Sequence, residues 1–222
     1  GGYLGGDIFF VISGFLITSS LCKIHSRNFE DFISDFYERR VKRLVPALSV
    51  FILIMSIAIC LINPQTETSL KTGLSSLFGL SNIFLFKQSI DYFAKSTEFN
   101  VFMHTWALSV QVQFYLFFPH IIWFSGWGRH TKNGARNLFL TVGALAIASL
   151  IGFLYLYPIN QSAAFFQMQT RFWEMAAGCW IFIGLQKRKS IKELLESVST
   201  IFVLLMIIGV MFLPKSLAIA ST

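Results

Sequence analysis

Long apolar runs separated by short polar connections dominate the chain. Six of the runs approach or reach the roughly 20 residues that an α-helix needs to cross the hydrocarbon core of a bilayer. They lie at residues 4–22, 44–62, 104–124, 138–157, 172–185 and 198–213, and the fifth is the shortest. This pattern predicts an all-α protein, a polytopic transmembrane helix bundle with about six to seven membrane segments in this chain.

Residues 72–86 form a further apolar run that is too short and too irregular for a simple crossing. The run contains Gly73, Gly79 and Asn82, and three serines accompany them. Such a segment either dips into the membrane and returns or lies at its surface. A second short crossing within residues 87–103 would have the same effect on topology.

The distribution of Lys and Arg favours one of these irregular arrangements, because cytoplasmic loops are enriched in both residues. If all seven runs cross, the two sides carry 10 and 8 basic residues, which is hardly a bias. If residues 72–86 do not make a simple crossing, the sides carry 13 and 5. The sequence then places residues 23–43, 125–137 and 186–196 in the cytoplasm, with residues 63–71, 87–103 and 158–170 outside.

Composition excludes several other classes of protein. The chain is 55% hydrophobic and 13% charged, whereas soluble domains are about 25% charged, so neither a soluble globule nor a disordered tail fits. The basic residues fall in short clusters between apolar runs, which argues against nucleic acid as a partner. Cys22, Cys60 and Cys179 lie in or beside apolar runs without metal-ligand spacing, so no metal site is predicted.

The chain starts at Gly1 and enters an apolar run at once, without the charged region that begins a signal peptide. We therefore interpret the sequence as one membrane domain over residues 1–222, incomplete at both ends and lacking its first helix.

Polar residues within apolar runs are functional candidates, because charge in a bilayer is costly. Asp7 is one such residue, near the end of the first run. In FYERRVKRLVP, Arg40 and Arg43 lie three residues apart and share one helix face. Two guanidinium groups there suit a phosphate-bearing donor such as coenzyme A. The alternative is a basic anchor that binds anionic lipid headgroups.

Two further segments carry polar residues at helical spacing. In HTWALSVQVQFYLFFP, the spacing places His104, Leu108, Gln111 and Tyr115 roughly on one face, with His104 as a general base or as a structural residue. The aromatic residues of this segment are equally typical of a membrane-interface belt.

In RFWEMAAGCW, Arg171 and Glu174 are spaced for an ion pair on a helix, and a structural pair is favoured over a catalytic one. The small residues at 176–178 would let another helix approach closely.

These four segments, GGYLGGDIFFVISGFLIT, FYERRVKRLVPAL, HTWALSVQVQFYLFFP and RFWEMAAGCW, together resemble the acyltransferase 3 family of integral-membrane O-acyltransferases, its nematode branch more than its bacterial one. The resemblance implies transfer of an acyl group, often acetyl from acetyl coenzyme A, to a hydroxyl of a carbohydrate or lipid. Acyl-CoA is then a donor substrate, no cofactor is bound, and the bilayer is a partner.

The resemblance also assigns roles to individual residues. Arg40 and Arg43 match the paired arginines implicated in handling the acyl donor. The catalytic candidates are His104, Ser109, Gln111, Tyr115 and Glu174. Other recurrent polar or aromatic positions of the membrane region are matched by Asp7, Trp106, Gln113, Arg171 and Trp173.

Two departures from the family pattern leave alternatives open. The essential histidine of the family lies on a helix before GGYLGGDIFF, and Gln111 and Val112 stand where the family usually has Glu and often a second Glu. An amide cannot take up a proton as a carboxylate does. One alternative is therefore a catalytically inactive relative that binds an acyl donor or a lipid. Another is a secondary transporter with a broken helix at residues 72–86, although no internal repeat supports it.

Overall fold

A computed structural model of the chain describes residues 4–24, 26, 28–62, 66–91 and 100–187. Across these residues the regular structure is helical and contains no strand, which confirms the all-α prediction. The helices are α1 (Leu4–Cys22), α2 (Phe29–Ile62), α3 (Glu67–Leu77), α4 (Ser81–Asp91), α5 (Thr105–Phe124), α6 (Gly134–Ile159), α7 (Gln161–Phe166) and α8 (Met168–Lys187).

Among the described helices, α1, α2, α5 and α6 are long and apolar enough to cross a membrane. They contain the predicted runs at residues 4–22, 44–62 and 138–157 and nearly all of 104–124. Helix α8 contains the short run at 172–185 but does not reach the apolarity of these four. The run at 198–213 lies outside the described residues, so the number of spans stays a prediction.

The basic segment before residue 44 is helical and not a loop, which corrects the predicted boundary. Helix α2 starts at Phe29 and runs for 34 residues, or about 51 Å. Its first part is stabilised by ion pairs one turn apart, Asp35 with Arg39 and Glu38 with Lys42.

Residues 72–86 are divided between two helices, so they do not form one continuous helix. Helices α3 and α4 have 11 residues each, about 16 Å, which is too short to cross a bilayer singly. Gly79 lies between them at φ +68°, and its N–H donates to the carbonyl of Ser76 at 3.1 Å. A Cβ at Gly79 would lie 2.7 Å from Cγ1 of Val112, so both conformation and space require glycine.

Contacts divide the chain into two compact units, residues 1–19 with 174–222 and residues 20–173. A single domain over residues 1–222 therefore stays a prediction. In the first unit, α1 and α8 approach so closely that a Cβ at Gly178 would lie 2.0 Å from the carbonyl oxygen of Val11. A Cβ at Gly14 would likewise lie 2.0 Å from that of Met175. The predicted close helix approach at residues 176–178 is confirmed at Gly178.

Candidate functional site

Arg40 lies against two aromatic rings from different helices of the second unit. Its Cζ is 5.4 Å from the ring centroid of Phe36 on α2 and 5.3 Å from that of Tyr115 on α5. The hydroxyl of Tyr37 donates to the carbonyl oxygens of Tyr115 and Leu116, at 3.2 and 3.1 Å. These contacts hold the basic part of α2 against the middle of α5 and give Arg40 a fixed aromatic support.

The basic cluster of α2 consists of Arg39, Arg40, Lys42 and Arg43. Two of these four residues are neutralised by carboxylates. Arg39 and Lys42 each pair with a carboxylate one turn earlier. Arg40 and Arg43 form no ion pair with any residue that the structure describes, and both interact electrostatically with Tyr115. Arg40 is half-buried and Arg43 is exposed. The two predicted donor-binding residues are therefore the cations of this cluster that remain available to an external anion.

Arg171 is enclosed by aromatic rings elsewhere in the second unit. Its Cζ lies 4.9 Å from the ring centroid of Phe165, 5.6 Å from that of Phe153 and 6.0 Å from that of Trp106. Its Nε donates to the carbonyl oxygen of Phe165 at 3.2 Å, and the residue is 6% exposed. The structure thus places two residues that the sequence singled out, Trp106 and Arg171, next to each other. No sequence signal singled out Phe153 or Phe165.

Glu174 is 1% exposed and belongs to the first unit, so its predicted ion pair with Arg171 stays a prediction. Asp7 is half-buried on α1 in that same unit.

Four buried hydroxyl groups, which we call the hydroxyl cluster, connect α3 and α4 to α5. Ser76 and Thr105 share a hydrogen bond of 2.6 Å, and Thr105 donates to Ser81 at 3.1 Å. Ser81 and Ser109 then share one of 2.7 Å. Ser109, predicted as catalytic, therefore has a structural role at this contact, because buried hydroxyl pairs stabilise helix association in membranes.

A pair of amides continues the contact between these helices. Gln113 donates from Nε2 to Oδ1 of Asn82 at 2.8 Å and to the carbonyl oxygen of Gly79 at 2.9 Å. Asn82 donates from Nδ2 to the carbonyl oxygen of Phe166 at 3.0 Å. The pair thereby joins α4, α5 and α7. The sequence identified Gln113 as a recurrent position but gave no role to its partner.

The remaining candidates on α5 lie in different environments. His104 occupies the N-cap position of α5, is exposed, and makes no capping hydrogen bond from its side chain. Gln111 is 9% exposed and Tyr115 is 8% exposed. The predicted face therefore extends from an exposed end at His104 into a buried middle. At the start of α8, the backbone N–H of Trp173 donates to the hydroxyl of Ser149 at 3.2 Å.

Comparisons with known proteins extend these observations. A family model described as an acyltransferase domain matches residues 2–217. The chain is similar to the peptidoglycan O-acetyltransferase OatA of Listeria monocytogenes, with 30% identity over 226 residues that cover 97% of this chain and 36% of that protein.

It is also similar to the O-acetyltransferase OatA of Staphylococcus aureus strain NCTC 8325, with 32% identity over 180 residues that cover 81% of this chain and 29% of that protein. The chain thus spans well under half the length of the curated relatives it matches. No solved structure matches the chain. Its predicted similarity to the nematode branch stays a prediction.

Proposed function

The chain belongs to the acyltransferase 3 family of integral-membrane proteins, and we propose that it transfers an acetyl group from an acyl-CoA donor to a hydroxyl of a membrane-associated carbohydrate or lipid. The names of the relatives support O-acetyl transfer, and the name of the Listeria protein supports a carbohydrate polymer as acceptor class. The donor is inferred from the side chains of α2.

The observation that carries the donor proposal is the charge of Arg40 and Arg43. Their basic neighbours on α2 are already paired with carboxylates, so an incoming diphosphate meets these two guanidinium groups without first breaking an ion pair. Guanidinium binds phosphate through two parallel hydrogen bonds, which a single ammonium cannot reproduce. The rings of Phe36 and Tyr115 support Arg40, which reduces the conformational entropy lost when the donor binds.

The proposed reaction is an acyl transfer from a thioester. The acceptor oxygen attacks the thioester carbonyl, the C–O bond forms, the C–S bond breaks, and the proton of the acceptor passes to a general base and finally to the CoA thiolate. The resemblance to the family implies that this base is a histidine. Transfer through an acylated carrier would use the same donor site.

A second candidate is a catalytically inactive relative that binds an acyl donor or lipid. It is favoured by Gln111, a buried amide at a position where the family usually has a carboxylate, and by the valine that follows it. The transporter alternative rested on a broken helix at residues 72–86. Such a break is present, but membership of an acyltransferase family argues for acyl transfer.

The test uses the full-length protein in membranes supplied with acetyl-labelled acetyl-CoA. We expect label in membrane glycans or lipids, with little in membranes that carry the double variant Arg40→Gln/Arg43→Gln. Donor binding without transfer would favour the inactive relative. If the folded protein shows neither donor binding nor acyl transfer, the acyl-CoA proposal is contradicted.

A further inference from the structure

A cleft of about 480 Å³ lies where the end of α5 meets the start of α6. It is lined by His120, Ile121, Phe124, Ser125, Asn137 and Thr141. The cleft is open at the side, because Phe124 is 71% exposed and Thr141 is also exposed. Both helices are long and apolar enough to span a bilayer, and in a bilayer the exposed side of the cleft would contact lipid.

Aromatic packing fixes the α5 wall of this cleft. The ring of Phe29, at the start of α2, lies 5.6 Å from that of His120 and 5.7 Å from that of Phe124, measured between centroids. The same ring lies 5.7 Å from that of Trp123. The wall is therefore present before any ligand binds, which lowers the free-energy cost of binding.

The connection between α5 and α6 is equally well defined. Gly126 has φ +86°, and its carbonyl oxygen accepts a hydrogen bond from the hydroxyl of Thr131 at 2.9 Å. Gly134 packs so closely that a Cβ there would lie 2.7 Å from the same oxygen. Asn137 donates from Nδ2 to the carbonyl oxygen of Ser125 at 3.3 Å and so joins the two sides of the cleft.

This connection carries positive charge that α5 and α6 do not neutralise. Arg129, Lys132 and Arg136 are exposed, and none forms an ion pair with the residues that the structure describes. Residues 99–173 contain no Asp or Glu at all, so the sequence supplies no carboxylate on α5, on α6 or between them. The start of α6 adds the partial positive charge of a helix N-terminus.

We propose that this cleft is a binding site for an anionic phospholipid. The phosphate binds at Arg129, Lys132 and Arg136, and one acyl chain lies along the apolar wall formed by Ile121 and Phe124. A soluble anion would use only these three cations, whereas the lateral opening and the exposed apolar side chains of both helices suit a ligand with a lipid tail. This inference concerns a different part of the chain from the proposed donor site and does not depend on it.

The test measures how the full-length protein retains phosphatidylglycerol. Protein in nanodiscs of mixed phosphatidylglycerol and phosphatidylcholine is released and analysed by native mass spectrometry, and a photoactivatable phosphatidylglycerol is mapped by peptide sequencing. We expect selective retention of phosphatidylglycerol and crosslinks within residues 120–141. The triple variant Arg129→Gln/Lys132→Gln/Arg136→Gln should lower the apparent affinity on the order of 100-fold, about fivefold for each cation.

Two further variants make the test specific. The matched control Arg39→Gln/Lys42→Gln/Lys71→Gln also removes three cations, but each of these is paired with a carboxylate on its own helix, so retention should be unchanged. Thr141→Trp keeps all charges and fills the cleft, so retention should fall.

The proposal would be overturned by wild-type retention in the Arg129 triple variant or in Thr141→Trp. Equal loss in the matched control, or crosslinks that map elsewhere in the wild-type protein, would also overturn it. Full competition by inorganic phosphate would show that the site binds a soluble anion instead of a lipid. The crosslinking result stands even if a variant fails to fold, because it needs only the wild-type protein.

Discussion

The guanidinium carbon of Arg40 lies 5.3 Å from the ring centroid of Tyr115, and this contact joins the basic cluster of α2 to the middle of α5. A cation placed over an aromatic ring contributes about 0.5–2 kcal/mol, depending on its exposure. Tyr37 reinforces the junction through hydrogen bonds to the α5 backbone. Arg40 therefore has a fixed position, whereas exposed Arg43, one turn along the helix, is free to follow a ligand.

The first prediction separates donor binding from simple membrane anchoring. We expect Arg40→Lys and Arg43→Lys each to weaken acetyl-CoA binding by about tenfold or more, because each change loses a charge-assisted hydrogen bond. Arg39→Lys is the matched control, since Arg39 already pairs with Asp35 and should matter little. Binding of labelled acetyl-CoA to the purified full-length protein measures the effect. Equal losses in all three variants would favour a lipid anchor.

The second prediction concerns the close approach of α1 and α8. Gly178→Ala should lower the free energy of unfolding by about 1–3 kcal/mol, because the new methyl group would meet the backbone of Val11 and force the helices apart. Gly152→Ala is the control, because no atom lies within 4 Å of the Cβ position and alanine favours a helix. Thermal unfolding in detergent compares the two. Similar stability in both variants would show that the helices separate at no cost.

The sequence predicted the helices well because an apolar segment of membrane length can satisfy its backbone hydrogen bonds within itself only as an α-helix. The run at residues 4–22 coincides with α1, and residues 72–86, which the sequence did not interpret as a simple crossing, are interrupted at Gly79. The start of α2 was missed because Asp35 and Glu38 neutralise nearby basic residues, so a charged segment remains helical.

The sequence did not predict which helices contact one another. Helical spacing indicates which residues share a face, but it does not identify the partner helix. For this reason the rings around Arg171 and the partner of Ser109 became visible only in the structure. Spacing also grouped His104 with Gln111, although one is exposed at the helix start and the other is buried.

The third prediction concerns the amide pair of Asn82 and Gln113. Asn82→Ala should lower the free energy of unfolding by about 1–3 kcal/mol, because it leaves Gln113 and the carbonyl oxygen of Phe166 without that partner in a buried site. Asn133→Ala is a suitable control, since Asn133 precedes α6 without a capping hydrogen bond from its side chain. Thermal unfolding measures both variants. An equal and small change in both would mean that water replaces the lost contacts.

The fourth prediction tests the orientation that the basic residues imply. In a protein with Cys22, Cys60 and Cys179 replaced, a cysteine at Glu67 should react with an impermeant thiol reagent in sealed cells. A cysteine at Arg129 should react only after the membrane is opened. Both positions are exposed, so burial would not explain a difference. Labelling of the Arg129 position from outside would invert the proposed topology.

The last prediction concerns Gln111, which is 9% exposed in the middle of α5 and stands where the family usually has Glu. Gln keeps the size of that residue and an acceptor oxygen, but it carries no negative charge and cannot take up a proton. A positioned acid or base commonly contributes about 10² to 10⁴ in rate, so we expect slow acyl transfer by the native protein and a rise of at least about 10²-fold in Gln111→Glu. Gln111→Met is the control, because it retains the volume without a carboxylate and should not raise the rate. The measurement is transfer from labelled acetyl-CoA into membrane glycans and lipids at matched expression. Robust native activity that Gln111→Glu leaves unchanged or reduces would show that a carboxylate is dispensable at this position, and the inactive-relative alternative would lose its main support.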